Sequence, residues 1–214
     1  MNISTRGIPK DGLPEAFVYI DELIEDCIVD QKYWSRDNFV GAQIDGYERP
    51  LVVMTIEAAQ GSVKAADRLR KQGFFIKFFD AYRPQRAVNH FVRWGADLHD
   101  LRRKPIHYPY VDKAQVFALG YVAEKSAHTR GAAVDLTLVD MQTYLEVDMG
   151  TIFDFMDPRS HTGSPGLSPA QEQNRRILRD AMEASGFVRN PDEWWHYHLV
   201  HEPYPDTYFD FPIR

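Results

Sequence analysis

Alternation of apolar and polar positions marks out the secondary structure of this chain unevenly. Phe74 to Phe79 is apolar at five of six positions, all five aromatic or β-branched, which predicts a buried strand. Just before it, Ala65, Ala66 and Leu69 stand among Lys and Arg and predict an amphipathic helix over Ser62 to Gln72, closed by Gly73. The fullest set of local signals lies between Ser168 and Gly186: Ser168 as N-cap, Pro169 at the first helical position, Gln171 completing a capping box and Gly186 as the stop. They predict a helix from Pro169 to about Ser185.

Fainter patterns fill in the rest. Alternation through Cys27 to Tyr33 predicts a strand in a first 50 residues that otherwise read as irregular. Pro84 suits the first turn of a helix whose stripe is Ala87, Val88, Phe91 and Val92, so Arg83 falls at a strand-to-helix corner. Ala133 to Val139 predicts a further strand, and Phe187 to Val188 and Trp195 to Val200 read as two more, joined by a turn at Asn190 to Asp192. Asp97 to Pro109 is polar and broken. Asp157 to Pro169, rich in Pro, Gly, Ser and His, reads as a loop and a candidate rim or lid for a pocket. Without regular βαβ alternation, this order favours an α+β fold with a central antiparallel sheet flanked by helices.

Composition narrows the function. With 214 residues, 44% of them apolar, the chain can bury a full core as one domain over residues 1–214. A formal net charge of -6 argues against nucleic acid or an anionic membrane as a general partner and suits a small polar or zwitterionic substrate. Met1 to Ala16 is broken by Gly7, Pro9, Gly12 and Pro14 and has no apolar run, so the expectation is no signal peptide and a cytoplasmic protein. Cys27 is single, which excludes an intrachain disulfide and a thiolate zinc knuckle and leaves it a small core or near-surface side chain.

The chemistry concentrates in two separated segments, Ser126-Ala127-His128-Thr129-Arg130-Gly131-Ala132-Ala133-Val134-Asp135 and Glu193-Trp194-Trp195-His196. If they converge, His128, Asp135 and His196 supply the three protein ligands of a catalytic zinc, and Glu193 is the carboxylate that handles protons. Asp135 is the strongest signal, because a carboxylate inside an apolar strand is costly unless paired or metal-bound. The other residues also have plainer readings: His128 as a backbone-bonded loop histidine, Glu193 as a solvated turn residue, His196 as a core histidine among aromatics. His198 competes with His196, being on the same strand face. Glu193 and His196 would point to opposite faces of a regular strand, so Glu193 has to lie in the turn or a bulge.

These residues carry a resemblance. Ser126, His128, Gly131, Ala133 and Asp135, followed by Leu136-Thr137-Leu138, resemble the Ser-x-His-x-x-Gly-x-Ala-x-Asp pattern of the D-alanyl-D-alanine dipeptidases of the VanX type. That family lies within the zinc D,D-peptidases of the hedgehog/D,D-peptidase fold, and its Glu-x-x-His pattern is similar to Glu193 to His196. Asp37 to Gly41, Asp80 to Pro84 and Met149 to Asp157 extend the resemblance over residues 17 to 201 or so. It implies one zinc per chain on His128, Asp135 and His196, Glu193 as general base and acid, and Arg83 as the group that meets the oxyanion. A guanidinium suits that task independently, since it stays charged and aims two donors at one oxygen. The resemblance further implies that Tyr33, Ser126 and Asp154 surround the charged ends of a small D,D-dipeptide. Ala127 stands where the family often has a second serine, which removes one hydroxyl donor. Three other readings stand beside this one: a carboxypeptidase or endopeptidase acting on cell-wall peptides, a metal-stabilised binding protein without catalysis, and a mononuclear iron oxygenase. The last leaves Glu193 without a task.

Overall fold

The computed structural model describes residues 12 to 214; the predicted character of Met1 to Asp11 lies outside them. Seven strands and four α-helices follow one another as β1 (Phe17–Tyr19), β2 (Ile28–Val29), β3 (Val53–Thr55), α1 (Ile56–Arg70), β4 (Phe74–Asp80), α2 (Gln85–Ala96), α3 (Lys104–His107), β5 (Ala133–Asp140), α4 (Pro169–Glu183), β6 (Phe187–Arg189) and β7 (His196–Leu199). Five strands form the main sheet in the order β2-β4-β5-β7-β6, and β1 pairs with β3 in a second, two-stranded sheet. The fold is α+β, as predicted. The main sheet has the expected antiparallel centre, β4-β5-β7-β6, with β2 added parallel to β4 at one edge.

Helices α1 and α4 pack on each other and against this sheet. In β5, Val134, Leu136 and Leu138 alternate with Asp135 and Thr137, so the aliphatic residues share one face and the two polar ones the other. All five are buried, the three aliphatic ones in the hydrophobic core. Helix α4 has the full capping box expected of Ser168 and Gln171, and Gly186 follows it at φ +97. Helix α1 starts six residues earlier than its charge pattern suggested, capped by the Thr55 side chain. The expected helix began at Ser62, directly after Gly61. In the fold they are interior, and a Cβ on Gly61 would come 2.7 Å from the Phe187 ring, so close packing requires the glycine. Pro84 sits one place before α2, at its N-cap rather than in its first turn.

The predicted strand over Cys27 to Tyr33 is regular for only two residues. Beyond Val29 the chain still runs along β4, with Asp30 N donating to Phe78 O and Lys32 N to Phe79 O, and this delivers Tyr33 to the end of β4. The C-terminal segment also closes on that end of the sheet. Phe211 stacks on Tyr82 with centroids 4.1 Å apart, and Phe209 N donates to Thr129 O. No helix among the described residues is long and apolar enough to cross a membrane.

Candidate active site

Strand register builds the centre of the site. Asp135 on β5 is opposite His196 on β7 and, on its other side, opposite Asp80 at the end of β4. His128 comes in from the 3-10 turn Ala127–Arg130, which Ser126 caps by accepting from His128 N at 3.2 Å. Gly131 ends that turn at φ +78, and a Cβ there would lie 2.4 Å from the Phe17 ring. His128, Asp135 and His196 set their donors close together: His128 Nε2 to His196 Nδ1 is 3.1 Å, and the carboxylate turns a different oxygen to each histidine, Oδ1 3.0 Å from His196 Nδ1 and Oδ2 3.2 Å from His128 Nε2. Ligands about 2.0–2.1 Å from a tetrahedral zinc stand about 3.3 Å from one another, so this spacing fits that ion. His128 Nδ1 is 2.6 Å from Ala81 O, which as a donor contact leaves Nε2 unprotonated for a metal. Burial pushes the Asp135 carboxyl up, but His128 and His196 beside it outweigh this and hold it below the usual carboxylate range. His198, the rival ligand, stays outside the group, its ring centroid 6.2 Å from that of His196.

Glu193 lies in the turn before β7, as its geometry relative to His196 required, with Oε2 3.8 Å from His196 Nδ1. Asn190 Nδ2 donates to the same oxygen at 3.1 Å. Burial, with Asp135 adding to it, pushes the Glu193 carboxyl above its ordinary value, against the opposing charges of His196 and Arg83. That is the direction a proton-transfer group needs. Arg83 is held at its corner by Asp80, whose Oδ2 accepts from Nε at 2.9 Å, while Nη2 stands 3.5 Å from Asp135 Oδ2. The guanidinium also lies over the Tyr33 and Phe91 rings, 5.0 and 5.2 Å from their centroids.

Arg83, His128, Asp135, Asn190, Glu193 and His196 line one cavity of about 200 Å³. Sites for drug-sized ligands run from roughly 300 to 1,000 Å³, so the space suits something smaller. Tyr33, Ser126 and Asp154 line it too, which brings the predicted metal ligands, Glu193, Arg83 and the expected substrate-binding residues to one place. Tyr33 Oη donates to Asp154 Oδ2 at 2.9 Å. Asp154 has φ +56, a left-handed backbone unusual for a residue with a side chain, and its carbonyl is 3.2 Å from His107 Nδ1. Burial pushes the Asp154 carboxyl well up, and Asp135 reinforces that, so the group gains most from a cationic partner.

Comparison with known proteins then decides the family, because a profile described as D-ala-D-ala dipeptidase matches residues 14–214. The chain belongs to the D-ala-D-ala dipeptidase family. That family is zinc-dependent, and the donor set agrees with it. The chain is 46% identical over 198 residues to a D-alanyl-D-alanine dipeptidase of Enterococcus faecium, covering 92% of this chain and 98% of the relative. Against one from Streptomyces coelicolor the identity is 45% over 197 residues, with 92% and 98% covered. Among solved structures, VanYB in complex with D-alanine-D-alanine aligns with a TM-score of 0.44 and 19% identity, over 78% of this chain and 84% of that one.

Two features of the site were not legible in the sequence. The segment from Gly120 to Ala127 forms one wall of the cavity, whereas the loop from Asp157 to Ser168, expected as its rim or lid, contributes no residue to it. That loop turns instead toward α4, where Thr162, Gly163 and Leu167 line a separate hollow. Asp80 and Asn190 were the second omission: they orient Arg83 and Glu193, and Asp80 has only its place in Asp80 to Pro84 as a sequence signal. Asn190 had read merely as a turn residue.

Proposed function

We propose that this chain is a zinc-dependent dipeptidase that hydrolyses free D-alanyl-D-alanine and related small D,D-dipeptides to amino acids, working as one catalytic domain in the cytoplasm. The observation that carries the proposal is the convergence, in about 200 Å³, of the donor set, Glu193, Arg83 and groups for both ends of a dipeptide. Held by His128, Asp135 and His196, zinc supplies Lewis acidity and a lowered pKa for bound water.

Glu193 takes the proton of the attacking water and later delivers it to the leaving amine. Asn190 fixes one of its oxygens and leaves the other for this transfer. Arg83, anchored through Nε, turns its terminal nitrogens to the carbonyl oxygen as negative charge develops there. Asp154, oriented by Tyr33, meets the substrate ammonium. Ser126 uses its oxygen to accept from His128 N, so its hydroxyl proton is available to the substrate carboxylate.

With a partner for each terminus inside one cavity, a longer or N-blocked peptide leaves Asp154 buried without its cation. This favours a dipeptidase over a carboxypeptidase acting on wall peptides, and a free dipeptide as substrate fits a cytoplasmic enzyme. Both Glu193 and Arg83 line the cavity, which a purely metal-stabilised binding protein has no need of. A panel of free D,D- and L,L-dipeptides, N-acylated D-alanyl-D-alanine and longer peptides tests the reading. D-alanyl-D-alanine should be cleaved far faster than its N-acylated form; comparable rates would reassign the chain as a carboxypeptidase.

A further inference from the structure

The loop 149–161 carries Asp154 to the catalytic cavity, and a side chain that does not line that cavity fastens it. Arg175, on α4 and 7% exposed, donates from Nε to Met149 O at 2.7 Å, from Nη1 to His161 O at 2.9 Å and from Nη2 to Arg159 O at 2.9 Å. Met149 and Arg159 each stand five residues from Asp154, so one guanidinium bridges the two ends of the loop with Asp154 midway between them. All three contacts go to carbonyls and none to a carboxylate. Burying a cation for packing alone is unfavourable, whereas a planar fork that binds three carbonyls at once fixes their relative positions.

Asp154 needs such a fastening. Its φ is +56, and a left-handed backbone at a residue with a side chain persists only where the surrounding structure enforces it. The same loop is tied to the turn that bears Glu193: Trp194 N donates to Ser160 O at 3.0 Å and Trp194 Nε1 to Thr151 Oγ1 at 2.8 Å, while Ser160 Oγ donates to Phe155 O at 2.6 Å. Arg175 is adjacent to this joint, its guanidinium 5.9 Å from the Trp194 ring centroid.

We propose that Arg175 is a positioning residue for recognition of the substrate ammonium: by clasping the ends of the loop 149–161 it holds the Asp154 carboxylate where the cation arrives. It touches no substrate and acts only through Asp154, resting on the ammonium role proposed above for that residue. Steady-state kinetics of zinc-loaded wild-type, R175M, D154A and D154A/R175M protein on D-alanyl-D-alanine test it. R175M should keep one zinc per chain, raise KM about tenfold or more, the scale of one charge-assisted hydrogen bond, and change kcat less than about threefold. The double variant should have the KM of D154A, because residues that act as a unit are not additive. R175K keeps the charge but offers one nitrogen to three carbonyls, so its KM should fall between wild type and R175M, and it carries the same comparison if R175M does not fold. A KM raised in D154A but unchanged in the Arg175 variants would overturn the inference alone, and so would a double variant whose KM is the product of the two single effects, the mark of a general structural role. An unchanged KM in D154A would overturn the ammonium role of Asp154 and this inference with it.

Discussion

Replacing His107 by asparagine tests how the ammonium end of the site is held. His107 is 5% exposed and sits between the Asp154 carbonyl, 3.2 Å from Nδ1, and the Arg103 guanidinium, 3.2 Å from Nε2. Nδ1 therefore carries the proton and Nε2 accepts, a neutral ring that burial, chiefly, keeps down to about 4 from 6.5. In the unfolded chain the imidazole takes up a proton below about 6.5, while the folded one resists until about 4. Folding stability therefore falls as pH drops through that window and levels off beneath it. Linkage puts the loss at about 2 kcal/mol between pH 7 and pH 5 and about 3 kcal/mol by pH 4. His107→Asn retains a donor for the Asp154 carbonyl and has nothing to titrate, so its stability should be flatter by that amount. Urea unfolding of both proteins at pH 7 and pH 5 measures the difference, and effects of the metal ligands common to both cancel in the comparison. Parallel losses in the two proteins would refute the neutral, buried assignment of His107.

Metal content should fall sharply in H128A, D135A and H196A and stay near one zinc per chain in H198A; plasma emission analysis of purified protein decides it, and full retention in the first three would reject this donor set as the site. E193A should keep its zinc and lose about two to four orders of magnitude in turnover, and R83A about two to three, measured as release of free D-alanine. Near-normal turnover with metal bound would remove the role from either residue. Gly131→Ala should destabilise the fold by about 1–3 kcal/mol in thermal or urea unfolding, because it combines a left-handed backbone with contact against the Phe17 ring. An unchanged midpoint would show that this turn relaxes freely.

What the sequence determined by itself is local or motif-bound. The cap of α4 was readable because Ser168, Pro169, Gln171 and Gly186 act within one or two turns of their own backbone. The strand character of β4 and β5 followed from apolar runs too dense for a surface. Asp135 announced itself because a charge in such a strand demands a partner. Tertiary structure decided what depends on distant chain. The bulge between Phe78 and Asp80 and the register across β4, β5 and β7 bring Asp80, Asp135 and His196 into line, and no local periodicity encodes that alignment. The pairing of β1 with β3 and the parallel edge at β2 went unread, because segments of two or three residues show too little alternation to register. Helix α1 begins six residues before the expected Ser62, and its interior Gly61 answers to packing against Phe187 rather than to helix propensity. The wall of the cavity fell to residues 120–127 and not to the Pro- and Gly-rich loop after Asp157, since composition identifies a loop but only packing says which surface it crosses.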